Sequence, residues 1–341
     1  MSLDDRKAQL LRAVVHDFIQ QAKPVGSKTL ADRYALDLSA ATIRNELAAL
    51  EEQGYLSHPH TSAGRVPTDL GYRFYVDSLS GVGKLARAQE EAIARYFEGA
   101  ADLEETMRRT SVLLARLTQY TAMVAPPSLD RSRLRHIELV GLGRHVVMVV
   151  IIVDTGRVEK RLVESTFEVA ADDLDELRRR FLDALVGERL DRAELVLGAL
   201  GERVPPGRQA LFDLLADAVG QMVSDQTSER VFIGGQAHLA GPDAFDGLET
   251  VHRVYEALEQ QVLVLRLLRA VLDSDEQLSV TIGSENTVAG IEACSLVTSA
   301  YGTGDAAGSI GVIGPTRMDY LRAMAAVQAV ARYLGDVLDD G

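Results

Sequence analysis

The sequence predicts an α+β protein: an N-terminal winged helix-turn-helix, then an antiparallel-sheet domain interrupted by a mostly helical insertion. Three observations carry this. Ser39–Tyr75 reads as a capped helix, a tight stop, a short strand, a polar Gly-containing loop and a second helix. Residues 135–163 read as strands joined by short Gly turns, a meander rather than alternating β–α units, which disfavours a doubly wound nucleotide fold. Strands return at 278–313 after a helical middle, as when one sheet domain is split by an insertion.

The elements follow in order. Leu10, Leu11, Val14, Val15, Phe18, Ile19 and Ala22 recur at helical spacing and predict a first helix over about 4–21, stopped by Pro24. Ser27 is placed to cap a short second helix running to about Tyr34, and 35–38 is a turn. Ser39 is an N-cap for a third helix, because its hydroxyl can accept a bond from an orphan backbone N–H. Ile43, Leu47 and Leu50 form that helix's apolar stripe, which leaves Ala40, Thr42, Arg44 and Asn45 largely outside it near the N-terminal end. Gly54 supplies a left-handed stop. Tyr55-Leu56 begins a strand, 58–65 is a loop too rich in donors to be core, and Pro67-Thr68-Asp69 opens another helix.

Two helical patterns fill 84–120, and 121–125 is a short strand ended by Pro126-Pro127. Strands are predicted at 135–142, 146–153 and 158–163. Val146–Val153 is apolar throughout, so a central strand covered on both faces is expected. Helices follow at 172–185 and 206–223, a short strand at 231–233 and a long helix at 250–272. Strands at 278–282, 293–301 and 309–313 precede a closing helix over 316–338, with Pro315 suited to its first turn. The division that results is 1–80, then 81–154 with 246–341 as one sheet domain, with 155–245 inserted.

The 341 residues suffice for two or three domains, and 47% apolar content marks a globular chain. No apolar run reaches 18 residues, so no membrane-spanning helix is expected. The N-terminus has no apolar core of a secretory signal. One cysteine, Cys294, allows no internal disulfide, and the expected home is a reducing cytoplasm. Net charge is −14, but residues 1–80 hold nine Lys/Arg against ten Asp/Glu, so the acidity lies in the remainder. A basic face need only be local. Arg44, His58, His60 and Arg65 are the residues to build one. So weak a charge implies that the unit needs dimerisation to bind nucleic acid usefully.

Arg pairs with guanine and Asn with adenine through paired hydrogen bonds, and the N-terminal end of a recognition helix is the part that reaches base edges. Thr42, Arg44 and Asn45 are therefore the candidate base contacts. Ser39, His60, Ser62 and Arg65 are the candidate backbone or wing contacts. Exposed Arg and Asn also occur on helices that never touch DNA; the wing directly following favours the DNA reading.

Other motifs point to little chemistry. His58 and His60 lack further ligands at zinc spacing, so no metal and no cofactor are expected. Gly141-x-Gly143 and Gly302-x-Gly304 lack the strand–turn–helix context of a dinucleotide loop and read as turns. Cys294 lies in an apolar strand, where an inert thiol is the commoner state. No matched acid, base or nucleophile is visible, so an enzyme is disfavoured. Gly283–Asn286 is a polar turn that could instead border a small-ligand pocket. Arg317, in 309–320, serves either a structural joint or the N-terminal module.

The segments PVGSKTLADRY (24–34), SAATIRNELAALEEQGYLSHPHTSAGRVPTDLGYRFYVD (39–77) and IGVIGPTRMDY (310–320) resemble the heat-inducible transcription repressor family HrcA. HTSAGRVPT (60–68) and GPTRMDY (314–320) are the specific signatures, and 155–245 matches only loosely. The resemblance implies a GAF-like sheet domain carrying an inserted dimerisation domain. It also implies a homodimeric repressor of chaperone genes that binds double-stranded DNA at an inverted-repeat operator, the CIRCE element. Its activity would be maintained by the GroEL/GroES chaperonin. The alternatives are a small-molecule-gated winged-helix regulator using the GAF-like pocket, and a winged helix that binds protein rather than DNA.

Overall fold

The computed structural model describes residues 3–34, 38–59, 64–79, 87–97, 102–127, 132–224, 230–241, 245, 247–272, 274, 277–302 and 307–339. The N-terminal unit begins with α1 (Asp5–Gln21), capped by Asp4, whose carboxylate accepts the Lys7 N–H at 2.8 Å. It closes on Ala22 in the left-handed region, two residues before Pro24. In α2 (Ser27–Arg33) Gly26 holds the cap position and Ser27 is the first helical residue, making no capping bond. α3 (Ala40–Glu52) starts at Ser39 and is followed by Gly54 at φ +80°. β1 (Leu56–Ser57) and β2 (Val66–Pro67) pair antiparallel, and α4 (Asp69–Asp77) follows. Leu10, Leu11, Val14, Leu30, Ile43, Leu50 and Leu56 are buried at its centre.

The chain continues through α5 (Arg87–Phe97), α6 (Leu103–Thr118), β3 (Thr121–Ala125), β4 (Leu134–Gly141), β5 (Val146–Val153) and β6 (Val158–Glu164). Then come α7 (Ala171–Leu185), α8 (Ala193–Gly201), α9 (Gln209–Ser224), β7 (Phe232–Gly234), α10 (Leu248–Glu259) and α11 (Gln261–Arg269). β8 (Leu278–Ile282), β9 (Cys294–Tyr301), β10 (Gly308–Pro315) and α12 (Tyr320–Asp339) complete it. The strands form two further antiparallel sheets, ordered β7-β3-β10-β9-β8 and β4-β5-β6.

The five-stranded sheet is covered on both faces, and the two-residue period of its strands sorts the side chains. Ala122, Val124, Ile310 and Val312 face α6 and α12; Met123, Ala125, Leu296 and Ile313 share a core with Val254, Val264, Leu265 and Leu268 of α10 and α11. The first of these cores runs without a break into the N-terminal unit.

The three-stranded sheet has a core of its own, in which Val147, Val149, Ile151 and Val153 meet Leu177, Phe181, Leu215 and Val219. The sequence-based division at 154/155 cuts between β5 and β6, which pair from Val146↔Glu164 to Ile152↔Val158. Leu134–Glu164 therefore belongs with α7–α9, while β7 pairs with β3 and so lies outside that unit. β5 is central but alternates. Its other face, Val146, Met148, Val150 and Ile152, is only half-buried, and beside it on β6 Val158 is 56% and Leu162 63% exposed.

One helix is added and two further expectations change. The interval after α7 holds α8 despite Gly198 and Gly201; Gly201 lies so near the Phe212 ring that a Cβ would stand 2.9 Å from it. The long helix expected at 250–272 breaks at Gln260, whose carbonyl accepts the N–H groups of Leu263 and Val264 at the start of α11. Pro315 ends β10, paired with Cys294, and α12 begins only at Tyr320.

Candidate nucleic-acid interface

The third helix is presented as its sequence requires. Ser39 Oγ accepts the Thr42 N–H at 3.1 Å and lies 2.9 Å from Thr42 Oγ1, so both hydroxyls serve the helix start. Ile43, Leu47 and Leu50 turn inward; Arg44 and Asn45 are exposed and Thr42 is half-buried beside them. No hydrogen bond or ion pair holds Arg44 or Asn45 among the described residues, so their donors and acceptors face outward in the first two turns. Glu46, next on the helix, lies 3.8 Å from Arg6 and 3.9 Å from Lys7 of α1, which anchors α3 to the helix beneath it.

Behind the helix the chain turns back through a two-pair ladder, Leu56↔Pro67 and Ser57↔Val66. Val25 and Arg65 extend it by exchanging backbone bonds of 2.8 and 2.9 Å. Gly64 permits this approach, since a Cβ there would stand 2.6 Å from the Val25 backbone. The Arg65 side chain does not project freely: its Nη2 lies 2.7 Å from Glu51 Oε2, and its Nε is buried without a hydrogen-bond partner. His58 Nδ1 bonds to the other Glu51 oxygen. Glu51 thus ties the end of α3 to both strands, a role that no local spacing announces. His60 and Ser62 lie outside the described residues.

The remaining candidate positions are structural in geometry. Cys294 is fully buried, and burial pushes its thiol up to about 12. Tyr320 is buried, its ring centroid 6.1 Å from that of Tyr72; its hydroxyl donates to Thr316 O at 2.5 Å and lies 2.7 Å from Ser295 Oγ. The Asp319 N–H donates to Tyr120 Oη at 2.7 Å. Residues 309–320 thus join β10 and α12 to α4. Among the described residues no three His, Cys, Asp or Glu side chains gather as a metal site, and no helix is long and apolar enough to cross a membrane.

Comparison with known proteins gives a consistent picture. Residues 104–324 match the family model described as the HrcA protein C-terminal domain. The chain is 46% identical over 338 residues to the heat-inducible transcription repressor HrcA of Acidothermus cellulolyticus, covering 98% of this chain and 99% of that protein. It is 44% identical over 337 residues to the protein of the same name from Thermobifida fusca, covering 98% and 97%. In fold it is similar to a crystal structure described as that of a hypothetical protein at 2.2 Å resolution. That likeness has a TM-score of 0.65 and 23% identity, covering 99% of both chains.

Proposed function

The chain belongs to the HrcA family of heat-inducible transcription repressors, and on that premise we propose that it is a sequence-specific transcriptional repressor acting as a homodimer. The observation that carries the reading is α3: a capped helix whose exposed N-terminal half offers Arg44 and Asn45, followed at once by the β1–β2 ladder. The unit 1–80 is then a winged helix with α3 in the major groove. Thr42, Arg44 and Asn45 read bases; Ser39, His60, Ser62 and Arg65 contact the backbone or form the wing.

The five-stranded sheet with its helices is the GAF-like domain. The unit from about 132 to 224 is the insertion, and it is the dimerising element. Its half-covered apolar sheet face, with Leu162 and Val158 exposed, supports this, because burying such surface against an identical copy is favourable. Two-fold symmetry presents two equivalent recognition helices, which requires an inverted-repeat operator. By the family resemblance that operator is the CIRCE element of chaperone genes, and GroEL/GroES sustains the active protein. Heat diverts the chaperonin to unfolded clients, and the repressor releases the operator.

The experiment is binding of the purified protein to the CIRCE duplex and to a scrambled duplex, with and without GroEL/GroES. Preference for the repeat, strengthened by chaperonin, supports the whole reading. Equal weak binding to both, unchanged by chaperonin, overturns it and favours a small-molecule-gated regulator.

A further inference from the structure

The polar turn 283–286 meets the N-terminal unit. Asp69, the first residue of α4, accepts the Ser284 N–H at 2.8 Å and its hydroxyl at 2.9 Å. One turn on, Arg73 Nε donates to Glu285 Oε1 at 2.8 Å, and its Nη2 donates both to Glu285 Oε2 and to Val280 O, the latter at 2.6 Å. Glu285 is fixed from its own side, because its Oε2 accepts the Ile282 N–H at 2.9 Å. Gly283, at φ +54°, lies so close to Asp69 that a Cβ there would overlap the carboxylate. α4 follows β2 directly and packs on α1, so whatever fixes α4 fixes α3.

We infer that Asp69 and Arg73, clamped to Ser284 and Glu285, are positioning residues that hold the recognition unit in one orientation on the five-stranded sheet and so set the half-site spacing the dimer accepts. This rests on the operator-binding reading above. The apolar core that crosses the same junction, Tyr72 against Tyr320 included, draws the two units together but tolerates small rotations. A two-pronged arginine–carboxylate pair with a second carboxylate–backbone bond one turn away does not, because its geometry is specific. The clamp touches no part of the exposed face of α3. Loosening it therefore alters where the two recognition helices stand, not what each one reads.

The test uses the full-length protein, wild type against Arg73→Ala and Glu285→Gln. Binding is measured on a single half-site duplex and on inverted repeats whose spacer is lengthened or shortened base pair by base pair. Orientation is read separately by the distance between spin labels at Glu52→Cys and Asp336→Cys, diluted with unlabelled protein so that only intrachain pairs report; Cys294 is buried and stays unlabelled. Wild type is expected to show one narrow distance and a preference of roughly tenfold or more for one spacer, since avidity vanishes when geometry forbids simultaneous engagement. The single variants are expected to keep half-site affinity, broaden the distance distribution and flatten the spacer profile. An unchanged distribution and profile in the single variants overturns the inference. If wild type itself shows no preference for the repeat, the operator reading fails, and the distance distribution alone then decides the clamp: broadening upholds it and constancy refutes it.

Discussion

Arg44→Ala separates base reading from mere charge. Arg44 is exposed, sits in the second turn of a helix capped at Ser39, and has no ion-pair partner among the described residues. Arginine and alanine have similar helix propensities, so the fold is expected to change by no more than about 0.5 kcal/mol. One bidentate arginine–guanine contact is worth roughly 1–3 kcal/mol of discrimination. A two-fold dimer presents the residue twice, so the loss on the full operator is about 2–6 kcal/mol, a weakening of about 30-fold to 10⁴-fold. The assay is fluorescence anisotropy with the CIRCE duplex and a scrambled duplex at one fixed salt concentration, beside thermal unfolding of both proteins. The expected result is a collapse of the difference between the duplexes with the melting curve unmoved. An equal loss on both duplexes would identify Arg44 as a phosphate contact and refute the assignment of α3 as the base-reading helix.

Other outcomes follow from the same geometry. Arg65→Ala removes the tie to Glu51 that holds the β1–β2 ladder against α3 and is expected to weaken binding to the operator and to scrambled duplex alike, read by anisotropy on both. Ser39→Ala removes the bond to the Thr42 N–H and costs roughly 1 kcal/mol, seen as about fivefold faster hydrogen exchange across α3. Leu162→Glu places a charge on the half-covered face of β5 and β6; sedimentation is expected to show monomer with unchanged circular dichroism, and a persistent dimer would move the interface elsewhere. At Glu285 burial raises the carboxyl pKa, but the bonds from Arg73 and the Ile282 N–H outweigh it and hold the group below its ordinary value. A depressed carboxyl stabilises above its unfolded value and ceases to as pH falls through the folded one. The stability gap between wild type and Glu285→Gln, followed by urea unfolding, should therefore be full above the ordinary carboxylate range and close as pH falls below it.

Much of this architecture was legible in local patterns. Ser39, Ile43, Leu47, Leu50 and Gly54 mark the start, buried stripe and stop of α3, because a cap, a 3.6-residue period and a left-handed glycine are all local. Leu278–Ile282 and Val146–Val153 likewise occupy the predicted strand positions. What escaped depends on partners remote in sequence. The Arg73–Glu285 pair spans 212 residues, and nothing near either one signals the other. The break at Gln260 has no glycine or proline to announce it; it lets α11 turn Val264, Leu265 and Leu268 onto the sheet. An eight-residue apolar run reads as covered on both faces, yet the alternate residues of β5 are only half-buried, because the run itself does not say whether a layer lies on its second side. At the candidate interface Arg44 and Asn45 stand exposed as the stripe requires, whereas Arg65 and His58 are drawn to Glu51 by tertiary proximity alone.

The central claim is that two identical recognition units read a two-fold operator. Its most direct test is the affinity of the wild-type protein for three duplexes carrying the same bases at one salt concentration: the inverted repeat, the same half-sites as a direct repeat, and a scramble. The account predicts binding to the inverted repeat roughly 10³-fold or more tighter than to the scramble, with the direct repeat far weaker than the inverted one. Equal affinity for all three duplexes would contradict it.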